Sequence, residues 1–197
     1  NGSPTSNTSP SGVQGICPDG WHIPSHAEWD VLANNVSGGN TVKGDRLKSC
    51  RQVDSPEGGF CVTTTHPRWN SHSTHYGTDD YGFNGLPGGY RAASAFYGLG
   101  EYTYFQTASE FSSSHTIFRQ LRFNFGDIFG GTFTGMDKTA SLSLRCVRTC
   151  SETPQQPSTI NGPTNPAANS NELPYSVQNQ SGVTFNWSVP EGWSIES

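Results

Sequence analysis

Apolar residues are sparse along this chain and fall into short patterned stretches, separated by segments rich in Gly, Ser, Thr and Asn. The first stretch with a clear period is Trp29, Leu32, Ala33 and Val36, spaced three and four apart as on one face of a helix. Ser25 and Glu28 ahead of it form an S-x-x-E capping box, and Gly38-Gly39 stops the run. The spacing therefore predicts one main helix between these signals, with an apolar stripe that needs a sheet or a second helix to cover it.

Strand patterns come later. Residues 89–92, 117–125 and 142–147 carry them, and in the last Leu142, Leu144 and Cys146 alternate with Ser141, Ser143 and Arg145, which predicts one buried and one polar face. Between 40 and 89 short patterned pieces alternate with turn residues, so a long ordered excursion anchored by its aromatics is expected there. One early helix followed by antiparallel strands makes the fold class α+β. Residues 1–15 read as an exposed loop or tail, and residues 1–150 as a single domain. Residues 151–157, with Pro154, Gln155, Gln156 and Pro157, read as a linker. Beyond it, 173–177 and 183–189 look like two strands, with Trp187 as a sandwich core residue. Two or three strands bury too little to stand alone, so 158–197 is expected to be the beginning of a β-sandwich domain that packs against further polypeptide, its own repeat or a neighbouring subunit.

Composition narrows the function. Only 31% of the 197 residues are hydrophobic and 14% charged, with 23 Gly and 13 Pro, which suits a loop-rich extracellular β protein better than a cytosolic helical enzyme. Five Trp, seven Tyr and eleven Phe exclude disorder throughout. A net charge of −5 argues against a nucleic-acid partner, and no apolar run approaches the roughly 20 residues that span a bilayer. If the protein is secreted, its signal was removed or lies outside this sequence. Five cysteines fit an oxidising compartment. Cys50 and Cys61 bracket a Pro/Gly-rich segment able to turn back on itself, and a Cys17–Cys146 bond would clasp the two ends of the first domain, leaving Cys150 over. The alternative is five reduced, buried thiols.

Four blocks in order carry a family resemblance: Cys17-Pro18-Asp19-Gly20-Trp21-His22-Ile23-Pro24-Ser25 with Glu28-Trp29; Gly77-Thr78-Asp79-Asp80-Tyr81-Gly82-Phe83; Leu86-Pro87-Gly88-Gly89-Tyr90-Arg91; and Leu144-Arg145-Cys146-Val147-Arg148. Together they resemble the Fibrobacter succinogenes major paralogous domain over about residues 10–148. The resemblance implies a C-type-lectin-like α+β fold, shared in outline with formylglycine-generating enzymes, and a surface or secreted protein of Bacteroidetes or Fibrobacteres. It also implies that the family's first strands precede residue 1. The tail, with Ile160-Asn161-Gly162-Pro163, Tyr175-Ser176-Val177, Phe185-Asn186-Trp187-Ser188-Val189-Pro190 and Gly192-Trp193-Ser194-Ile195, is similar to the opening of PKD-like repeats. A fragment of a larger multidomain surface protein is the expectation.

Candidate chemistry is limited. His66, His72 and His75 with Asp79 and Asp80 have a zinc-like spacing, whereas solvated loop histidines give the same pattern. Asp79, Asp80 and Asn84 offer hard oxygen ligands for a structural calcium, the one cofactor the sequence suggests; alternatively these side chains cap backbone amides in a turn. An oxidoreductase reading, borrowed from the formylglycine-generating relatives, needs a free thiol at Cys146 or Cys150. No G-x-S-x-G or H-E-x-x-H motif is present, and a non-enzymatic module is expected. In residues 118–124, alternation puts Arg119, Leu121 and Phe123 on one face and Phe118, Gln120, Arg122 and Asn124 on the other. With Tyr102 and Tyr104 upstream, that second face suits a glycan or a surface-protein ligand, since rings stack on sugars and amides bond their hydroxyls; the alternative places most of these rings in the core. The expected role is a binding or adhesion module at the cell surface. A spacer in a surface filament or stalk is the second reading.

Overall fold

The computed structural model describes residues 6–130, 135–149, 159–167, 170–178, 187–192 and 194–195, in two compact units, Asn1–Thr149 and Cys150–Ser197. In the first, helix α1 (His26–Asn35) starts where the capping box puts it: Ser25 Oγ accepts from the Glu28 amide, and Glu28 Oε2 accepts from the Ser25 amide. The same carboxylate takes the Ser11 amide at 3.1 Å and His22 Nε2 at 2.7 Å, so one side chain ties the helix to the loop and strand before it. Helix α2 (Lys43–Leu47) follows.

Most of the regular structure is β. Strands β4 (Tyr102–Glu110), β5 (His115–Arg122) and β6 (Phe125–Phe129) form an antiparallel meander, and β7 (Gly135–Asp137) pairs with the first residues of β5. Strands β2 (Tyr90–Ala92) and β3 (Ala95–Tyr97) make a hairpin, and β1 (Trp21–His22) pairs with β8 (Val147–Arg148), bringing the two ends of the domain together. Cys17 is disulfide-bonded to Cys146 beside that junction, and Cys50 to Cys61.

The core is small and ring-rich. Trp29, Val36, Leu47, Trp69, Phe105 and Leu121 are buried together, with Phe83 and Phe105 packed against Trp29 at centroid distances of 5.9 and 5.1 Å. The 40–89 excursion is anchored as expected: Trp69 is buried and its indole N–H donates to Gly85 O, while Lys48 forms a single parallel bridge to Gly85 and Gln52 to Val62 and Trp69. Gly126 permits the approach of β6 to α2, because a Cβ there would meet Thr41 O, Asp45 Oδ2 and His75 Nδ1.

Two expectations are corrected, and one strand was not anticipated. Residues 117–125 are not one strand: the chain turns at Phe123-Asn124, ending β5 and beginning β6. Residues 142–147 do not alternate in burial; Leu142 to Cys146 are all half-buried, and the segment holds single bridges at Ser141 and Ser143 before β8. The longest strand, β4, carries no apolar alternation, because its buried face holds Thr103 and Thr107 beside Phe105 while Tyr102 and Tyr104 lie on the other.

In the second unit Asn161 and Ser176 exchange backbone hydrogen bonds of 2.8 Å, and Tyr175 Oη donates to Pro163 O. The strand expected over 173–177 is reduced to that one bridge. The linker 151–157, Cys150, residues 183–186 of the last expected strand and Trp193 lie outside the described residues; Trp187 is exposed.

Candidate binding face

The register of β4 on β5 decides which side chains share a face. Tyr102 pairs with Arg122, Tyr104 with Gln120 and Gln106 with Phe118, so all six project from the side of the sheet opposite Phe105 and Leu121. The alternation read from 118–124 thus places Phe118, Gln120 and Arg122 together with Tyr102 and Tyr104. Asn124 lies in the β5–β6 turn and is half-buried.

Exposure on that face differs from expectation. Phe118 and Gln120 are only 6% and 4% exposed. Tyr104 packs on Phe118 at 5.2 Å and Phe129, paired with Gln120 across β5–β6, lies 6.4 Å from the Phe118 ring, so neighbouring rings roof over the centre of the face. Arg122 is spent internally: its Nη2 donates to both oxygens of Asp127 at 3.0 and 2.9 Å, and its guanidinium lies 3.9 Å from the Phe125 centroid and 4.5 Å from that of Phe129. Burial holds the Tyr104 phenol above its ordinary value, with Tyr90 and Tyr102 adding to the effect and a hydrogen bond from Gln120 opposing it.

The accessible rings lie at the margin, where composition and spacing did not point. Tyr97 stacks on Tyr90 at 5.4 Å as a cross-strand pair of the β2–β3 hairpin, and Tyr90 meets Tyr104 at 5.0 Å. A continuous series of rings therefore runs from Tyr97 through Tyr90 and Tyr104 to Phe118 and Phe129. Tyr97 is 49% exposed, Phe96 on the hairpin's other side 78%, and Leu99 63%. The hairpin turns through Ala93-Ser94, Ala93 taking a left-handed φ of 49°, and it is held to β4 by Gly89 N donating to Tyr102 O. Its signal in the sequence was two tyrosines set symmetrically about that turn.

The candidate calcium residues divide. Asp79 Oδ1 accepts from the Asn84 amide at 2.6 Å, with both residues in left-handed backbone, so Asp79 closes a turn; Asp80 faces Arg46 at 3.5 Å. His72 and His75 stack at 5.3 Å, His72 Nδ1 accepts from the Thr74 and His75 amides, and His75 Nδ1 hydrogen-bonds to Asp45. Among the described residues no three His, Cys, Asp or Glu side chains come together as metal ligands, and these histidines do not converge with Asp79 and Asp80. Cys146 is bonded to Cys17 and carries no free thiol.

Residues 6–148 match the family model described as the Fibrobacter succinogenes major domain, and residues 153–197 match a PKD-like domain. The chain belongs to the Fibrobacter succinogenes major domain family, with a PKD-like domain following in the order the sequence blocks imply. No curated protein and no solved structure matches the chain.

Proposed function

We propose that the first domain is a non-enzymatic glycan-binding module of a multidomain cell-surface protein, using the β2–β3 hairpin and the outer tyrosine face of β4 as its ligand surface. One observation carries this reading: the ring series from Phe118 and Tyr104 to Tyr90 ends in exposed Tyr97, with Phe96 and Leu99 beside it, so a supported aromatic platform meets solvent. Rings held by other rings stack on sugar faces without losing side-chain freedom on binding. Two disulfides and a PKD-like domain are typical of extracellular proteins, and no described helix is long and apolar enough to cross a membrane. The early helix, the paired β1 and β8 and the clasp between Cys17 and Cys146 support a C-type-lectin-like arrangement. With Cys146 bonded to Cys17, an oxidoreductase reading would have to rest on Cys150.

The spacer reading draws on Ile16, Trp21 and Val147, which are exposed where the chain enters and leaves the domain. Affinity electrophoresis of the intact chain through gels containing soluble polysaccharides separates the two. The glycan reading expects retardation by at least one neutral polysaccharide and its loss in Tyr97→Ala; uniform mobility in every gel would favour the spacer.

A further inference from the structure

A second recess lies apart from the tyrosine face. The Cys50–Cys61 bond folds residues 50–61 back beside the turn closed by Asp79, leaving an open cleft of about 520 Å3 lined by Arg51, Phe60, Thr63, Thr65, Asp79 and Asn84. Its volume is within the range of small-molecule sites, roughly 300–1,000 Å3. Three features of the lining are unexplained by folding. Arg51 is half-buried, yet among the described residues its guanidinium has no carboxylate or hydrogen-bond partner. Phe60 is 88% exposed on the 3-10 turn Gly59–Cys61, whose last residue is fixed by the disulfide. Asp79 uses Oδ1 to close its turn, so Oδ2 is left to accept from a ligand.

We propose that this cleft binds one sugar residue bearing a carboxylate, a uronic acid unit of an acidic polysaccharide. A guanidinium fork matches a carboxylate bidentately, which is the pairing Arg51 lacks within the chain. Phe60 supplies a flat apolar surface for the sugar ring, and Thr65 and Asp79 supply hydroxyl and carboxylate partners for the ring hydroxyls. The net charge of −5 opposes polyanions in general, so a preference for the acidic sugar has to come from Arg51 itself. The site stands independently of the tyrosine face and uses none of its residues.

The test is calorimetric titration of the intact chain with a short oligogalacturonate and with the matching neutral galactose oligomer. Preferential binding of the acidic oligomer is expected. Arg51→Ala should weaken it about tenfold or more, the effect of losing a hydrogen bond to a charged group. Arg51→Lys should recover only part of the loss, because an ammonium keeps the charge without the fork. Phe60→Ala, at a side chain standing in solvent, should weaken binding with unchanged thermal stability, and Tyr97→Ala should leave it unaltered. Equal binding of the two oligomers, no binding of the acidic one, or an Arg51→Ala variant that binds like the parent would each overturn the proposal.

Discussion

At the level of single residues, the domain is held by buried charges. Lys48 is fully buried, with Nζ donating to Arg122 O at 3.0 Å and Phe125 O at 3.2 Å and facing Asp45 at 2.7 Å. Burial lowers its pKa while Asp45 raises it back in part, and removing the amine would leave Asp45 buried without its cation. Lys48→Ala should therefore cost about 3–5 kcal/mol in urea unfolding; a loss below 1 kcal/mol would show that water reaches Asp45 freely. Arg119 is buried likewise, its Nη2 donating to His26 Nδ1 at 2.8 Å and pairing with Asp30. Because His26 Nδ1 accepts, the ring must be neutral, and burial followed by the nearby Arg119 lowers its pKa from 6.5, against Asp30. The unfolded chain then takes up this proton first as pH falls, so His26 makes the fold lose stability from about pH 6.5 downward until the folded-state pKa is passed. In His26→Gln that part of the pH slope should disappear, measured as the difference between the two unfolding curves; parallel curves would contradict the assignment.

Among the elements, α1 was legible because its signals are local: Ser25, Glu28 and the spacing of Trp29, Leu32 and Val36 are all within twelve residues. Ser25→Ala should cost about 1 kcal/mol, as for a lost N-cap, with the Glu28 carboxylate keeping its bonds to Ser11 and His22. The sheet was only partly legible. Strand β4 escaped because its inner face is threonine and its outer face tyrosine, so hydrophobic alternation runs against burial. The β5–β6 turn was hidden in a run of aromatics from Phe118 to Phe125, whose faces are set by pairing partners distant in sequence. The alternation places Phe118, Gln120 and Arg122 on one side of the sheet, as β5 does, but Asn124 falls in the β5–β6 turn and the face is less exposed than the pattern implies, since Phe129 and Tyr104 cover Phe118 and Gln120 only once the strands are assembled. The strand pattern at 89–92 marked the hairpin's first arm, whereas Phe96, Tyr97 and the unpaired Arg51 carry no sequence period.

For the molecule as a whole, the two disulfides differ in reach. Cys17–Cys146 joins residues 129 apart and Cys50–Cys61 residues 11 apart, so loop-closure entropy gives the first roughly 5 kcal/mol and the second about 3 kcal/mol. Paired serine variants should lose stability in that order in urea titrations, and a larger loss from the short loop would mean that the end-to-end clasp is not what holds the domain closed. The most direct test of the binding reading is a glycan array probed with the intact chain and with the double variant Phe96→Ser/Tyr97→Ser. The account predicts binding to a restricted set of neutral glycans by the parent chain and loss of that binding in the variant at an unchanged melting temperature. An array on which no neutral glycan binds the parent chain, or on which neutral glycans bind the variant equally, would contradict it.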